Sequence, residues 1–218
     1  MLILDPSCLP KGCPIPSSDG SGLLGPAIYE SHFILAYLEA YYNQSSSPSY
    51  PSLLPSSASN AGSADATEAR LFAQQVELVC DGICDALVLA FWERNREADK
   101  QSQPWIERQM RKVDGGLHAL EGWVQRAISN SKSVDGSSLQ EKGSGDGEGT
   151  KYPFLINDSF SIADIAIGSA LGYLAVRWPE HPWRERHPVL AGYWRHLEER
   201  ESFKSTVPTP QVAKDRIV

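Results

Sequence analysis

Two long runs of apolar residues at helical spacing follow one another in the middle of this chain, and they constrain its fold more than any other feature. From Thr67 to about Arg96, the residues Phe72, Val76, Val79, Ile83, Leu87 and Phe91 recur at threes and fours, over a length well above that of an average helix. Pro104 suits the first turn of a second helix, in which Ile106, Met110, Val113, Leu117, Leu120 and Val124 again line one face. Two such stripes joined by a short turn bury each other as an antiparallel hairpin. Further on, "SIADIAIGSALGYLAV" is apolar nearly all round and is expected at the centre of the core. "HPVLAGYWRHLEERESF" adds a helix opened by Pro188 and lined by Leu190, Tyr193, Trp194 and Leu197. The expected fold class is mainly α, with an all-helical domain over residues 67–218.

The first third of the chain has a different texture. Residues 1–5 and 23–29 are apolar runs of strand length, separated by a Pro- and Gly-rich stretch that fits a long hairpin connection. From Ser31, the residues Phe33, Ile34, Tyr37, Leu38 and Tyr41 mark one face of a short helix, with Glu30 or Ser31 as its cap. Residues 43–66 are rich in Ser, Pro and Ala without periodicity, as in an interdomain linker. The expected domains are thus a small α/β unit over 1–42, a linker over 43–66 and the helical domain over 67–218. Residues 130–150 hold almost no bulky apolar group and are expected as a flexible surface loop without chemistry.

Charge and cysteine usage narrow the function. A formal net charge of -7 with no Lys/Arg cluster excludes a phosphate-tracking surface, so no nucleic-acid partner is expected. No apolar stretch reaches the roughly 20 residues of a membrane-spanning helix, and Met1–Asp5 lacks a signal peptide's basic flank; a cytoplasmic location without a membrane partner is expected. Cys8, Cys13, Cys80 and Cys84 do not form a paired zinc pattern, so no metal site is expected. Cys80 and Cys84, one helical turn apart, read as buried structural thiols, and Cys13 as an unactivated loop cysteine. Asp81 and Asp85 are also one turn apart, a like-charge spacing that calls for a compensating partner.

Several pieces in this order resemble the glutathione transferases, whose subunits join a thioredoxin-like domain to an all-helical one. "YESHFILAYLE" is similar to the family's acidic-Ser motif with its following helix, while "DGICDALVLAFWERNRE" and "PWIERQMRKVDGGLHALEGW" resemble the two long helices of bacterial-type members. "FSIADIAI" matches the capping-box segment, in which Ser161 accepts from an amide three residues on and Asp164 reaches back. The resemblance implies that Glu30 and Ser31 bind the γ-glutamyl end of glutathione, the cosubstrate; on spacing alone the pair is equally an ordinary N-cap. It implies that Phe91, Trp92 and Arg94 form a wall against a small hydrophobic electrophile, with a solvated helix-end cation as the plain alternative for Arg94. It also implies a homodimer in which Asp81 reaches the neighbouring glutathione, against a local arginine pair.

A single βαβ unit takes about 30 residues, and none fits ahead of Leu23. The resemblance therefore implies a truncated thioredoxin-like remnant of two strands and one helix, with the earlier elements and the thiol-activating Ser, Tyr or Cys upstream of Met1. Catalytic residues are accordingly unassigned, and enzymatic activity leans towards yes. The expected function is glutathione conjugation, or glutathione-assisted isomerisation or elimination, of an electrophilic metabolite. The Ser/Gly-rich insert and the unusual hairpin loop resemble a fungal accessory protein of secondary metabolism. The alternatives are a non-catalytic binding or scaffold protein, and a truncated gene model of a full-length transferase.

Overall fold

The computed structural model describes residues 3–4, 28–29, 31–44, 52–54, 63–134 and 152–210. Residues 63–66 of the expected linker and 130–134 of the expected loop are helical instead. Expectations for the connection between the strands, for Cys8 and Cys13, for Glu30 and for residues 135–150 lie outside the described residues. The backbone divides into two units, Met1–Ser56 and Ser57–Val218.

In the first unit, strands β1 (Ile3–Leu4) and β2 (Ile28–Tyr29) pair antiparallel, Ile3 opposite Tyr29 and Leu4 opposite Ile28. Helix α1 (Ser31–Gln44) follows, burying Ile34 and Tyr37 with Leu38 packed on them, a three-and-four spacing that selects one helical face. Within the segment read as linker, residues 52–54 are held against α1. The Ser52 hydroxyl donates to the Glu39 carboxylate, and the Leu54 amide donates to the same group at 3.3 Å. Glu39 thereby caps a turn that composition alone presents as featureless.

The second unit is helical: α2 (Ser63–Arg94), α3 (Gln103–Val134), α4 (Ile162–Arg177), the short α5 (Trp183–Arg186), α6 (Pro188–Glu198) and α7 (Glu201–Lys204). Helices α2 and α3 form the expected hairpin, and α4 packs along α2. The buried line of α2 is Ala73, Val76, Cys80, Ile83, Leu87 and Ala90, while Phe72, Val79 and Phe91 from the sequence pattern flank it half-buried. Two neighbours instead of one account for the offset, since α3 and α4 together select a face on which alanines let backbones approach. Where α2 and α3 meet, a Cβ on Gly116 would stand 2.6 Å from Ile83, so only glycine fits without displacing a core side chain.

Helix α4 is buried over most of its surface, as its all-round apolar sequence requires. Its start is the expected capping box. The Asp164 carboxylate accepts from the Ser161 amide at 2.7 Å, the Ser161 hydroxyl at 3.0 Å and the Leu155 amide at 3.0 Å, and also from the Tyr193 hydroxyl on α6. A charge at 0% exposure is tolerable only with such a set of donors. The incoming loop turns at Asn157 and Asp158, both in the left-handed region at φ 51°, which these two residue types tolerate best. Asp158 secures the turn by accepting from the Phe154 amide at 3.0 Å.

Candidate functional site

The wall expected at Phe91, Trp92 and Arg94 is the last turn of α2, and it meets the last turn of α4. Each helix ends on an arginine, Arg94 and Arg177, where unsatisfied carbonyls favour positive charge. Arg177 lies 4.6 Å over the Phe91 ring and 5.6 Å over Tyr173. Arg94 lies 4.7 Å over Trp178 and donates to Glu180 at 2.5 Å. Phe91 and Trp92 meet edge to face at 5.5 Å, and Trp92 is 37% exposed. The result is a layered surface of rings and guanidinium groups with one indole open to solvent.

The turn that follows holds this surface in place. Glu93 accepts from Arg96 at 3.2 Å and from the Ser102 amide at 2.7 Å, and the Gln101 side chain donates to the carbonyls of Arg94 and Arg96 at 2.9 and 2.8 Å. These bonds satisfy the α2 C-terminus and lead directly into α3. The Glu180 carboxyl is held below its usual range by its own backbone amide and then by Arg94. Nearby, His181 stands 3.2 Å from Asp114 on α3, with Arg186 at 3.6 Å from the same carboxylate. Burial pushes the His181 imidazole below its ordinary value against the pull of Asp114. Two turns along α3, Glu121 binds His187 at 2.7 Å and takes the Val189 amide at 3.3 Å, pinning the start of α6.

Phe91, Trp92 and Arg94 stand together on one turn, and Arg94, an exposed cation at the helix end, is also stacked on Trp178 and ion-paired with Glu180 within the wall. The partners that define it, Tyr173, Arg177, Trp178 and Glu180, were missed by sequence reasoning. The signal available was "GYLAVRWPE", a helix ending on Arg before an aromatic and a proline. Asp81 is exposed on α2, about 20 Å along the axis from Arg94's end by helical rise. Around it, Leu71, Leu78 and Leu89 are 61%, 60% and 44% exposed. Burial pushes the Cys80 thiol far up, and burial with Asp81 and Asp85 pushes Cys84 up to about 11, so neither is a nucleophile near neutral pH. Ser31 opens α1 half-buried. Among the described residues no three His, Cys, Asp or Glu side chains cluster to hold a metal, and no helix is long and apolar enough to cross a membrane.

The glutathione S-transferase C-terminal domain model matches residues 103–196. The chain is 31% identical over 135 residues to the uncharacterized GST-like protein YibF of Escherichia coli, an alignment covering 62% of this chain and 54% of YibF, so it spans about half the length of that relative. It is similar to a glutathione S-transferase of Methylobacterium radiotolerans crystallised with glutathione sulfonate, at 36% identity and a TM-score of 0.65, over 90% of this chain and 74% of that one. A glutathione S-transferase of Methylobacillus flagellatus with glutathione bound gives 26% identity and a TM-score of 0.60, over 96% and 86%. Fold, capping box and these likenesses converge: the chain belongs to the glutathione S-transferase family.

Proposed function

We propose that this chain binds glutathione as a cosubstrate and presents its sulfur to a small hydrophobic electrophile, in a conjugation or a glutathione-assisted isomerisation or elimination. The observation that carries the reading is the likeness, over 90% of the chain, to a transferase crystallised with a glutathione derivative. In this reading Glu30 pairs with the ammonium of the γ-glutamyl end, while the Ser31 hydroxyl and the amides at the start of α1 take its carboxylate. Phe91 and Trp92 receive the electrophile, an electrophilic secondary metabolite, and Arg94 fixes the shape of the wall through Glu180 and Trp178.

The exposed leucines of α2 support a homodimer, because an apolar helix face of this kind is best covered by its own copy. Asp81 on that helix would then serve the neighbour's glutathione. A binding or scaffold module is the second reading. What favours it is that neither described cysteine is activated, since burial pushes the thiols of Cys80 and Cys84 up.

Thermal unfolding of the chain with millimolar glutathione tests the binding step. A ligand that binds only the folded state at a hundred times its Kd stabilises it by about 2.7 kcal/mol, and the midpoint should rise accordingly. Glu30→Lys should abolish that rise. An equal rise in wild type and variant would remove Glu30 from the site.

A further inference from the structure

We infer that Gln109, Trp178 and His181 line an internal hydration site beneath the aromatic wall, in which bound water bridges α3 to the turn that leaves α4. The inference rests on side chains of the helical unit alone and does not depend on the proposed function.

Gln109 is the odd residue of the α3 core. It stands on the face of Ile106, Val113 and Leu117 at 0% exposure, and among the described residues neither its amide oxygen nor its amide nitrogen meets a partner. A primary amide shut away with both ends idle forfeits the hydrogen bonds it made in the unfolded chain, a loss that native cores avoid. Two more buried atoms share this condition, Trp178 Nε1 and His181 Nδ1. Trp178 is 8% exposed and the His181 side chain 9%.

The packing brings the three to one level. Gly116 on α3 lies against Ile83 on α2, so seven residues back along α3 and seven forward along α2, Gln109 comes opposite the fully buried Ala90. One turn beyond Ala90 is Arg94, whose guanidinium covers the Trp178 ring at 4.7 Å. From the other side, the connection between α4 and α6 runs along α3: His187 meets Glu121, and His181 meets Asp114, about 10 Å nearer the start of α3 by helical rise. Trp178 is the next step in that direction, its carbonyl accepting from the His181 amide at 3.0 Å.

The chemistry of the set selects its ligand. The His181 Nε2 atom is engaged by Asp114 at 3.2 Å, which places the proton of the neutral ring there and leaves Nδ1 an acceptor. The Trp178 indole is a donor only, and the Gln109 amide supplies a donor and an acceptor whichever way it is turned. An anion would meet two acceptors and a cation two donors, whereas an apolar group would satisfy none of them. Water donates and accepts in equal number, and buried water makes about three such bonds. Because Trp178 also carries Arg94, the same water braces the floor of the wall.

The test is made on the full chain by NMR and by urea unfolding. The indole proton of Trp178, identified among the chain's six tryptophans as the signal that Trp178→Phe removes, should show an NOE to water of the sign that protein protons show with one another, which long-lived bound water gives and passing solvent does not. Gln109→Met keeps the length and apolar volume of the side chain. In a hydrated site it strands the indole and the imidazole, and the unfolding midpoint should fall; in a dry site it removes an idle amide, and the midpoint should rise. Trp178→Phe should lower the midpoint less in the Gln109→Met background than in wild type, since the shared water is already lost. A Trp178 signal without the water NOE, a raised midpoint in Gln109→Met, or strictly additive losses in the double variant would each overturn the inference.

Discussion

At its first turn, α4 buries the Asp164 carboxylate under four donors drawn from the cap, the preceding loop and α6; at its last turn, it lays the Arg177 guanidinium between the rings of Phe91 and Tyr173 at a half-buried surface. The first arrangement is closed, since the carboxylate's four donors all come from the protein and water is kept out. The second lies at the surface, half-buried, with an exposed indole beside it. A saturated buried network specifies the fold and has nothing left over for a ligand. A cation stacked on rings at a half-buried surface contributes less to folding. One helix thus starts in a closed buried network and ends in a stacked cation at a half-buried surface.

The sharpest way to break this contrast is to remove Asp164. Asp164→Ala leaves the amides of Ser161 and Leu155 and the Tyr193 hydroxyl without their acceptor inside the core, and should cost about 3–5 kcal/mol in urea unfolding. A cost below about 1 kcal/mol would mean that the site is wetter than its burial indicates. At the same end, Gly192→Ala drives a methyl into the Tyr152 ring and hydroxyl, and should cost about 1–3 kcal/mol by overpacking. At the other end, Arg94→Ala removes an ion pair whose side chains are 51% and 54% exposed, so its effect on unfolding should stay below about 1 kcal/mol.

The smallest effect expected is a pH dependence. His181 is half-buried with its pKa depressed below the ordinary histidine value by desolvation, facing Asp114, Arg186 and His187. Its neutral form is the one the fold accepts. The stability this contributes is present above the unfolded value and is lost as pH falls through the lower, folded value, because the unfolded chain binds the proton more readily. Unfolding midpoints followed downward from neutral pH should show a decline that His181→Asn flattens. A decline of the same size in the variant would assign it to other groups.

The folding end of α4 was legible in the sequence because every partner but one lies within ten residues: Leu155, Ser161 and Asp164 fall in one local motif. The aromatic wall formed with the last turn of α2 was legible only in half. Phe91, Trp92 and Arg94 stand on one helical turn and can be read together, but the partner of Arg94 is Glu180, 86 residues away, and periodicity says nothing about pairs at that distance. The buried face of α2 was offset for a related reason. Bulky residues mark a stripe, whereas Ala73, Ala86 and Ala90, which are buried because a second helix packs there, give no hydrophobic signal of comparable strength. The contact of Ser52 and Leu54 with Glu39 was hidden by composition, since a Ser/Pro-rich stretch reads as linker whether or not one carboxylate holds it.

The central claim, that this member of the family takes up glutathione, is tested most directly by isothermal titration calorimetry of the chain with glutathione at neutral pH. The account predicts a saturable heat with a dissociation constant in the millimolar range or below, lost in Glu30→Lys. A titration with no heat above dilution, on protein whose unfolding is cooperative, would contradict it.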